Sequence, residues 1–134
     1  MARVLVFGSF DGLHPGHESF LKEAGVYGDL IVSLPTDKTI KQLKGKPPKF
    51  TFTERKQALE RSGLVSEVYT SDEETGAYSI LKEAKPDMIF FGYDQIALQA
   101  DFTTYLKAHT LNFEVRTGSP YEPERYKSSL LNYD

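Results

Sequence analysis

The stretch VLVFGSFDGLHPGHESFL, Val4 to Leu21, joins an apolar run to a helical pattern through a turn rich in glycine, and it holds two of the chain's three histidines, His14 and His17. Arg3–Gly8 is a short apolar run bounded by glycine, as expected for a strand covered on both faces. Pro15 biases His14 toward an extended backbone and suits the first turn of a helix, where its missing amide hydrogen costs nothing. A helix is therefore expected to begin near Pro15, with His14 just before it and His17 in its first turn. The bare backbone at Gly8 would let a ligand approach closely. Both imidazoles would then face the free amides of the helix start, a region that attracts anions.

The same alternation continues along the chain. Leu30–Leu34, Val65–Thr70, DMIFFG (87–92) and NFEVRT (112–117) read as further strands. Helices are expected at Thr53–Arg61, capped by Thr53, at Ala77–Ala84, stopped by Pro86, and at Gln95–His109. The lysine-rich stretch PTDKTIKQLKGKPPKF, 35–50, reads mostly as loop, and a short helical turn is expected from Ser128. Strands alternating with helices imply a Rossmann-like α/β/α arrangement of three layers. Its five-stranded parallel sheet is expected in the order 3-2-1-4-5, with right-handed crossovers. Ligands in such sheets bind beyond the carboxyl ends of the strands where strand order reverses. Here that point lies between the first and fourth strands, beside both the histidine turn and GYDQ, Gly92–Gln95.

The 134 residues form one expected domain, 1–134, without repeats or linkers. The net charge of −3 offers no basic surface for nucleic acid. The absence of cysteine excludes disulfides, thiolate zinc sites and cysteine nucleophiles. No run has the length to span a membrane, and a cytoplasmic protein with no membrane partner is the expectation.

Three roles compete for the histidines. A metal site needs a third ligand, and Asp11 is the only local donor, since His109 belongs to a distant helix. Two packing histidines would be the bland alternative. The strand-turn-helix setting favours phosphate handling.

GSFDGLHPGH closely resembles the histidine-x-glycine-histidine signature of the nucleotidyltransferase superfamily that includes cytidylyltransferases and flavin adenylyltransferases. PTDKTIKQLKGKPPKFTFTER resembles that family's lysine-bearing loop and arginine helix, and KPDMIFFGYDQ its fourth strand and turn. The GYDQ form is most similar to the archaeal-type FAD synthetases, with glycerol-3-phosphate cytidylyltransferases next. The resemblance implies transfer of a nucleotidyl group from a triphosphate, ATP or CTP, to a phosphate-bearing acceptor, with pyrophosphate leaving and Mg²⁺ or another divalent cation neutralising the triphosphate.

His14 and His17 would donate hydrogen bonds to the phosphates, with Gly8, Ser9 and Phe10 beside them. Lys44 matches the loop lysine, and Lys46 is its neighbour; an ammonium on a flexible stem can follow a moving phosphate. Gly92, Tyr93, Asp94 and Gln95 would hold base and ribose, although Asp94 serves equally as a helix N-cap. Asp11 would assist or simply cap a turn. Arg55 matches an arginine near the ligand, and a solvated helical arginine would look the same. In ERYKSSLL the resemblance carries over Ser128 and Ser129 as phosphate donors and suggests Arg125 and Lys127; a plain helix cap also explains the serines.

The acceptor is the open question. Flavin needs apolar and aromatic walls, which Phe50, Phe52 and Tyr93 could supply, whereas glycerol phosphate needs a small polar pocket. FMN adenylylation is preferred, cytidylyl transfer comes second, and a non-catalytic nucleotide sensor is the alternative from another class. The resemblance also implies a homodimer.

Overall fold

The computed structural model describes residues 2–74 and 76–120. Ten elements follow in the order β1 (Arg3–Phe7), α1 (Pro15–Gly25), β2 (Asp29–Leu34), α2 (Asp37–Lys44), α3 (Phe52–Arg61), β3 (Glu67–Thr70), α4 (Ile80–Ala84), β4 (Met88–Phe91), α5 (Ile96–Ala108) and β5 (Glu114–Thr117). The five strands form one parallel sheet in the order β3-β2-β1-β4-β5. This is the expected order.

The central strand explains why the run has no polar position. Successive side chains of a strand point to opposite faces, and here both faces are covered. Val4 and Val6 join Leu30, Val32, Met88 and Phe90 beneath α1 and α3, where Leu21, Ala24 and Leu59 close the layer. Leu5 faces the other way, with Ile31, Ile89 and Phe91, beneath α4 and α5, where Leu81, Ala84, Phe102 and Leu106 close it. Val4, Leu5 and Val6 are wholly buried.

Three helix assignments change. The lysine-rich stretch is not mostly loop, because Asp37–Lys44 is helical. Thr36 caps it by accepting from the Thr39 amide, and Gly45 ends it at φ 78°, a conformation glycine adopts without strain. Helix α3 starts earlier than expected and is capped by Thr51, not Thr53. Thr51 and Glu54 form a reciprocal capping box, each side chain taking the other's amide. The helix expected from Ala77 starts only at Ile80, because Tyr78 stands at φ 49° and the Ser79 amide donates to Asp72. The turn expected from Ser128 lies outside the described residues.

At the amino-terminal edge of the sheet Arg3 donates to Glu67 at 2.7 Å and to the Ala84 carbonyl, and the Tyr69 hydroxyl donates to the other Glu67 oxygen. The Arg3 hydrogen bond first, and that of Tyr69 second, hold the Glu67 carboxyl below its ordinary range. A carboxylate stabilised in this way contributes above its unfolded pKa and loses that contribution as pH falls through the folded one. The stability advantage of the wild type over Glu67→Gln, read from denaturant melts, is therefore expected at neutral pH and to shrink progressively below about pH 4. An advantage independent of pH would contradict it. Separately, Thr51→Ala is expected to cost about 1 kcal/mol in the same melts.

Candidate functional site

His14 ends the turn after β1 as the N-cap of α1, with an extended backbone, and Pro15 supplies the first helical position. Its Nδ1 accepts from the Gly16 amide at 3.0 Å and the His17 amide at 3.3 Å. An acceptor nitrogen carries no proton, so in neutral His14 the ring hydrogen resides on Nε2. The Glu18 amide donates to the His14 carbonyl. The amides expected to face an anion are thus engaged by His14 itself.

Gly16 is required by the same geometry. A Cβ there would stand 2.8 Å from Cε1 of the His14 ring, so the glycine lets the imidazole fold over the first turn. The His14 and His17 rings stack at 3.7 Å between centroids, and Phe10 meets His17 edge-on at 5.3 Å. His17 is buried, and His14 Nε2 and His17 Nδ1 are shielded from solvent.

Gly8, which lines the cavity described below, also makes room for a ring. A Cβ on Gly8 would lie 2.8 Å from the Phe10 ring, so the space opened by this glycine is taken by Phe10. Phe10 itself is buried in the core at φ 47°, where its contact with His17 sets the imidazole's position.

Asp11 caps the backbone of a segment distant in sequence. Its two carboxylate oxygens accept from the Lys49 and Phe50 amides at 2.8 and 2.9 Å, tying the histidine turn to the segment ahead of α3. No cluster of three or more His, Asp or Glu side chains suited to a metal occurs among the described residues. Arg55 is not solvated: it is 1% exposed and donates to the Phe50 carbonyl, the Ser9 carbonyl and Asp37 Oδ1 at 3.0, 3.1 and 2.8 Å.

Across the switch point, the Gln95 side chain joins two strand ends. Its Nε2 donates to the Phe7 carbonyl at 2.9 Å, and its Oε1 accepts from the Gly92 amide at 2.8 Å. Helix α5 begins with no side-chain cap, so Asp94 does not play the N-cap role. Asp94 is exposed and Tyr93 half-buried.

A cavity of about 420 Å³ opens beyond the ends of β1, β2 and β3. Gly8, Ser9, Lys44, Asp94 and Gln95 line it together with residues that the sequence did not single out, among them Ser33, Leu43, Ser71, Asp72 and Tyr78. The walls expected from Phe50, Phe52 and Tyr93 are not its walls. Phe52 packs against the α1 and α3 core, and Phe50 covers Gly12. Phe7, Tyr78 and Leu98 do the work instead. Tyr78 donates to Asp101 at 2.6 Å, and burial first, then that bond, raise its phenol above the ordinary range, so it stays protonated. The histidines do not line this cavity; Gly8 and Ser9, at the start of the turn that leads to them, do. Lys44 ends α2 and is exposed, as is Lys46 just beyond it. Arg125, Lys127, Ser128 and Ser129 lie outside the described residues.

A family model described as cytidylyltransferase-like matches residues 5–131. The chain belongs to the cytidylyltransferase-like family of nucleotidyltransferases. The FAD synthase of Pyrococcus horikoshii is 38% identical over 131 residues, 96% of this chain and 88% of that protein. The FAD synthase of Methanohalophilus mahii is 36% identical over 126 residues, 91% of this chain and 85% of that one. Among solved structures, the lipopolysaccharide core biosynthesis protein of Thermoplasma volcanium superposes with a TM-score of 0.81 at 30% identity, over 91% of this chain and 99% of that one. The pantoate-beta-alanine ligase of Francisella tularensis shares the fold, with a TM-score of 0.67 at 16% identity, over 99% of this chain and 66% of that one. No helix among the described residues of this cytidylyltransferase-like chain is long and apolar enough to cross a membrane.

Arg55→Met removes three donors at once and leaves Asp37 and two carbonyls without them. A loss on the order of 3 kcal/mol in chemical denaturation is expected. Arg55→Lys should recover little of it, because one ammonium cannot span the three acceptors. Wild-type stability in Arg55→Lys would refute the clamp.

Proposed function

We propose that this chain is an FMN adenylyltransferase, acting as one domain over residues 1–134. A phosphate oxygen of FMN attacks the α-phosphorus of ATP, the bond to the β-phosphate breaks, and FAD and pyrophosphate leave. The observation that carries this assignment is an apolar-walled cavity lined by Gly8 and Ser9, which begin the turn leading to the stacked imidazoles. The identity to archaeal FAD synthases along nearly the whole chain supports it. The cavity would receive the flavin, with Lys44 at its rim for the migrating phosphate. A cavity walled by Phe7, Tyr78 and Leu98 suits a flat ring better than glycerol phosphate.

No protein nucleophile is needed. The protein aligns two polyanions and stabilises charge that builds on the α-phosphate and the departing pyrophosphate. His14, holding its hydrogen on Nε2, would donate to a phosphate oxygen, with His17 stacked beside it; shielding from water strengthens both interactions. Gly92–Gln95 would hold the nucleoside, and Ser128, Ser129, Arg125 and Lys127 the outer phosphates. Mg²⁺ comes with the triphosphate, whose oxygens supply most of its ligands. A cytoplasmic location and a homodimer belong to the same proposal.

Incubation with Mg²⁺, ATP and FMN is expected to yield FAD and pyrophosphate in equal amounts, by mass spectrometry and a coupled assay. CDP-glycerol from CTP and glycerol 3-phosphate, with no FAD, would replace this assignment by the cytidylyl one; nucleotide binding without any pyrophosphate would leave a sensor. His17→Ala should lower kcat about a hundredfold to a thousandfold. Gly16→Ala separates the helix from the chemistry. Alanine favours helices, so the fold should hold, while displacement of the His14 ring should lower kcat; unchanged turnover would count against His14.

A further inference from the structure

The sheet register sets Phe7, Ser33 and Tyr69 side by side, one row beyond Leu5, Ile31 and Glu67. Residues matched in this way share a face of the sheet, and it is the face that carries α4 and α5. In the row below, Ile31 fills the central position and is wholly buried. At position 33 a serine stands between two aromatic residues instead, and the missing volume belongs to the cavity.

Ser33 is 2% exposed, and its Oγ lies 2.7 Å from Oγ of Ser71, just past the end of β3. Both serines line the cavity. Two hydroxyls carry two hydrogens, and the bond between them uses one. Whichever serine accepts keeps its own hydrogen to give to a ligand. A hydroxyl hydrogen held at the floor of a mostly apolar cavity is costly unless something receives it, and a ligand carbonyl is the matching acceptor.

We propose that the Ser33–Ser71 pair is the specificity contact for the acceptor substrate, donating a hydrogen bond to a carbonyl oxygen on the edge of a flat heteroaromatic ring. The proposal rests on FMN adenylylation and names the part of FMN that this site recognises. With Lys44 at the rim, the cavity would engage the two ends of the acceptor by different chemistry, a carbonyl edge inside and a phosphate at the mouth. A phosphate ester without the ring would find Lys44 but have nothing to offer the serines.

The test uses the full chain, with FMN as substrate and ribitol 5-phosphate, which lacks the ring, as competitive inhibitor. Ser33→Ala combined with Ser71→Ala is expected to raise KM for FMN about tenfold, the loss of one hydrogen bond. Values of kcat, KM for ATP and the inhibition constant of ribitol 5-phosphate should stay within about twofold of wild type on that basis. Ser71→Ala alone, outside the strands, should shift KM for FMN in the same direction and guards against a double variant that fails to fold. Where the wild type makes FAD, an unchanged KM for FMN in the variants would overturn the serine assignment alone, as would equal losses for FMN, ATP and ribitol 5-phosphate, the mark of a merely structural pair. A wild type that makes no FAD would overturn the adenylyltransferase assignment and this proposal with it.

Discussion

The buried guanidinium of Arg55 gathers three segments that lie far apart in the sequence. It reaches from the first turn of α3 to the carbonyl ahead of that helix, to Ser9 in the turn after β1, and to Asp37 at the start of α2. These segments bring the histidine corner and the lysine-bearing helix to the same end of the sheet. A fixed planar fork suits the task, because its donors leave in set directions. Asp37 is half-exposed and compensates the charge, while the carbonyls take up the remaining donors, which is what a guanidinium buried this deeply requires. Asp11 adds a second tie between the same neighbourhoods through the Lys49 and Phe50 amides.

Within that frame the site divides into two compartments. One is a compact corner in which Phe10, His17 and His14 lean on each other in sequence, glycines at 8 and 16 making room for rings. The other is the open cavity, walled by the ends of β1 and β2, the segment after β3, and α2. A fixed corner beside a roomier cavity matches what the proposed reaction demands, since the phosphates must be held to a fraction of an ångström and the acceptor ring only has to be oriented.

The fold was largely legible because it depends on two-sided burial of short apolar strands, and that leaves an unbroken hydrophobic run in Val4–Phe7 and again in Met88–Phe91. The corner at His14 was legible for a similar reason, Pro15 fixing where the helix starts. Helix α2 was hidden by its lysines. Its own signals, the Thr36 cap, Ile40 and Leu43 three apart, and Gly45 at the end, were present but outweighed by charge and prolines. The Thr51 cap was hidden by a second threonine two residues on, although only Thr51 has a glutamate three residues later. The cavity walls could not be read at all. Ser33, Ser71 and Tyr78 come together through strand register and a left-handed residue, and neither leaves a local pattern in the sequence. Arg55 was visible as a residue, but whether it met water or three acceptors depended on contacts as distant as Ser9.

Gln95 bonds the end of β1 to the turn after β4 through a single amide. That makes the crevice between the strands a fixed gauge, its width set by a side chain's length and not by whatever occupies it. Of the cavity's lining, Gly8, Ser9 and Gln95 belong to this gauge or to the turn that leads to the histidines, so the rest of the wall can change while the spacing of the two strand ends stays constant. On this scaffold a new acceptor is a matter of upholstery, with the joinery left alone.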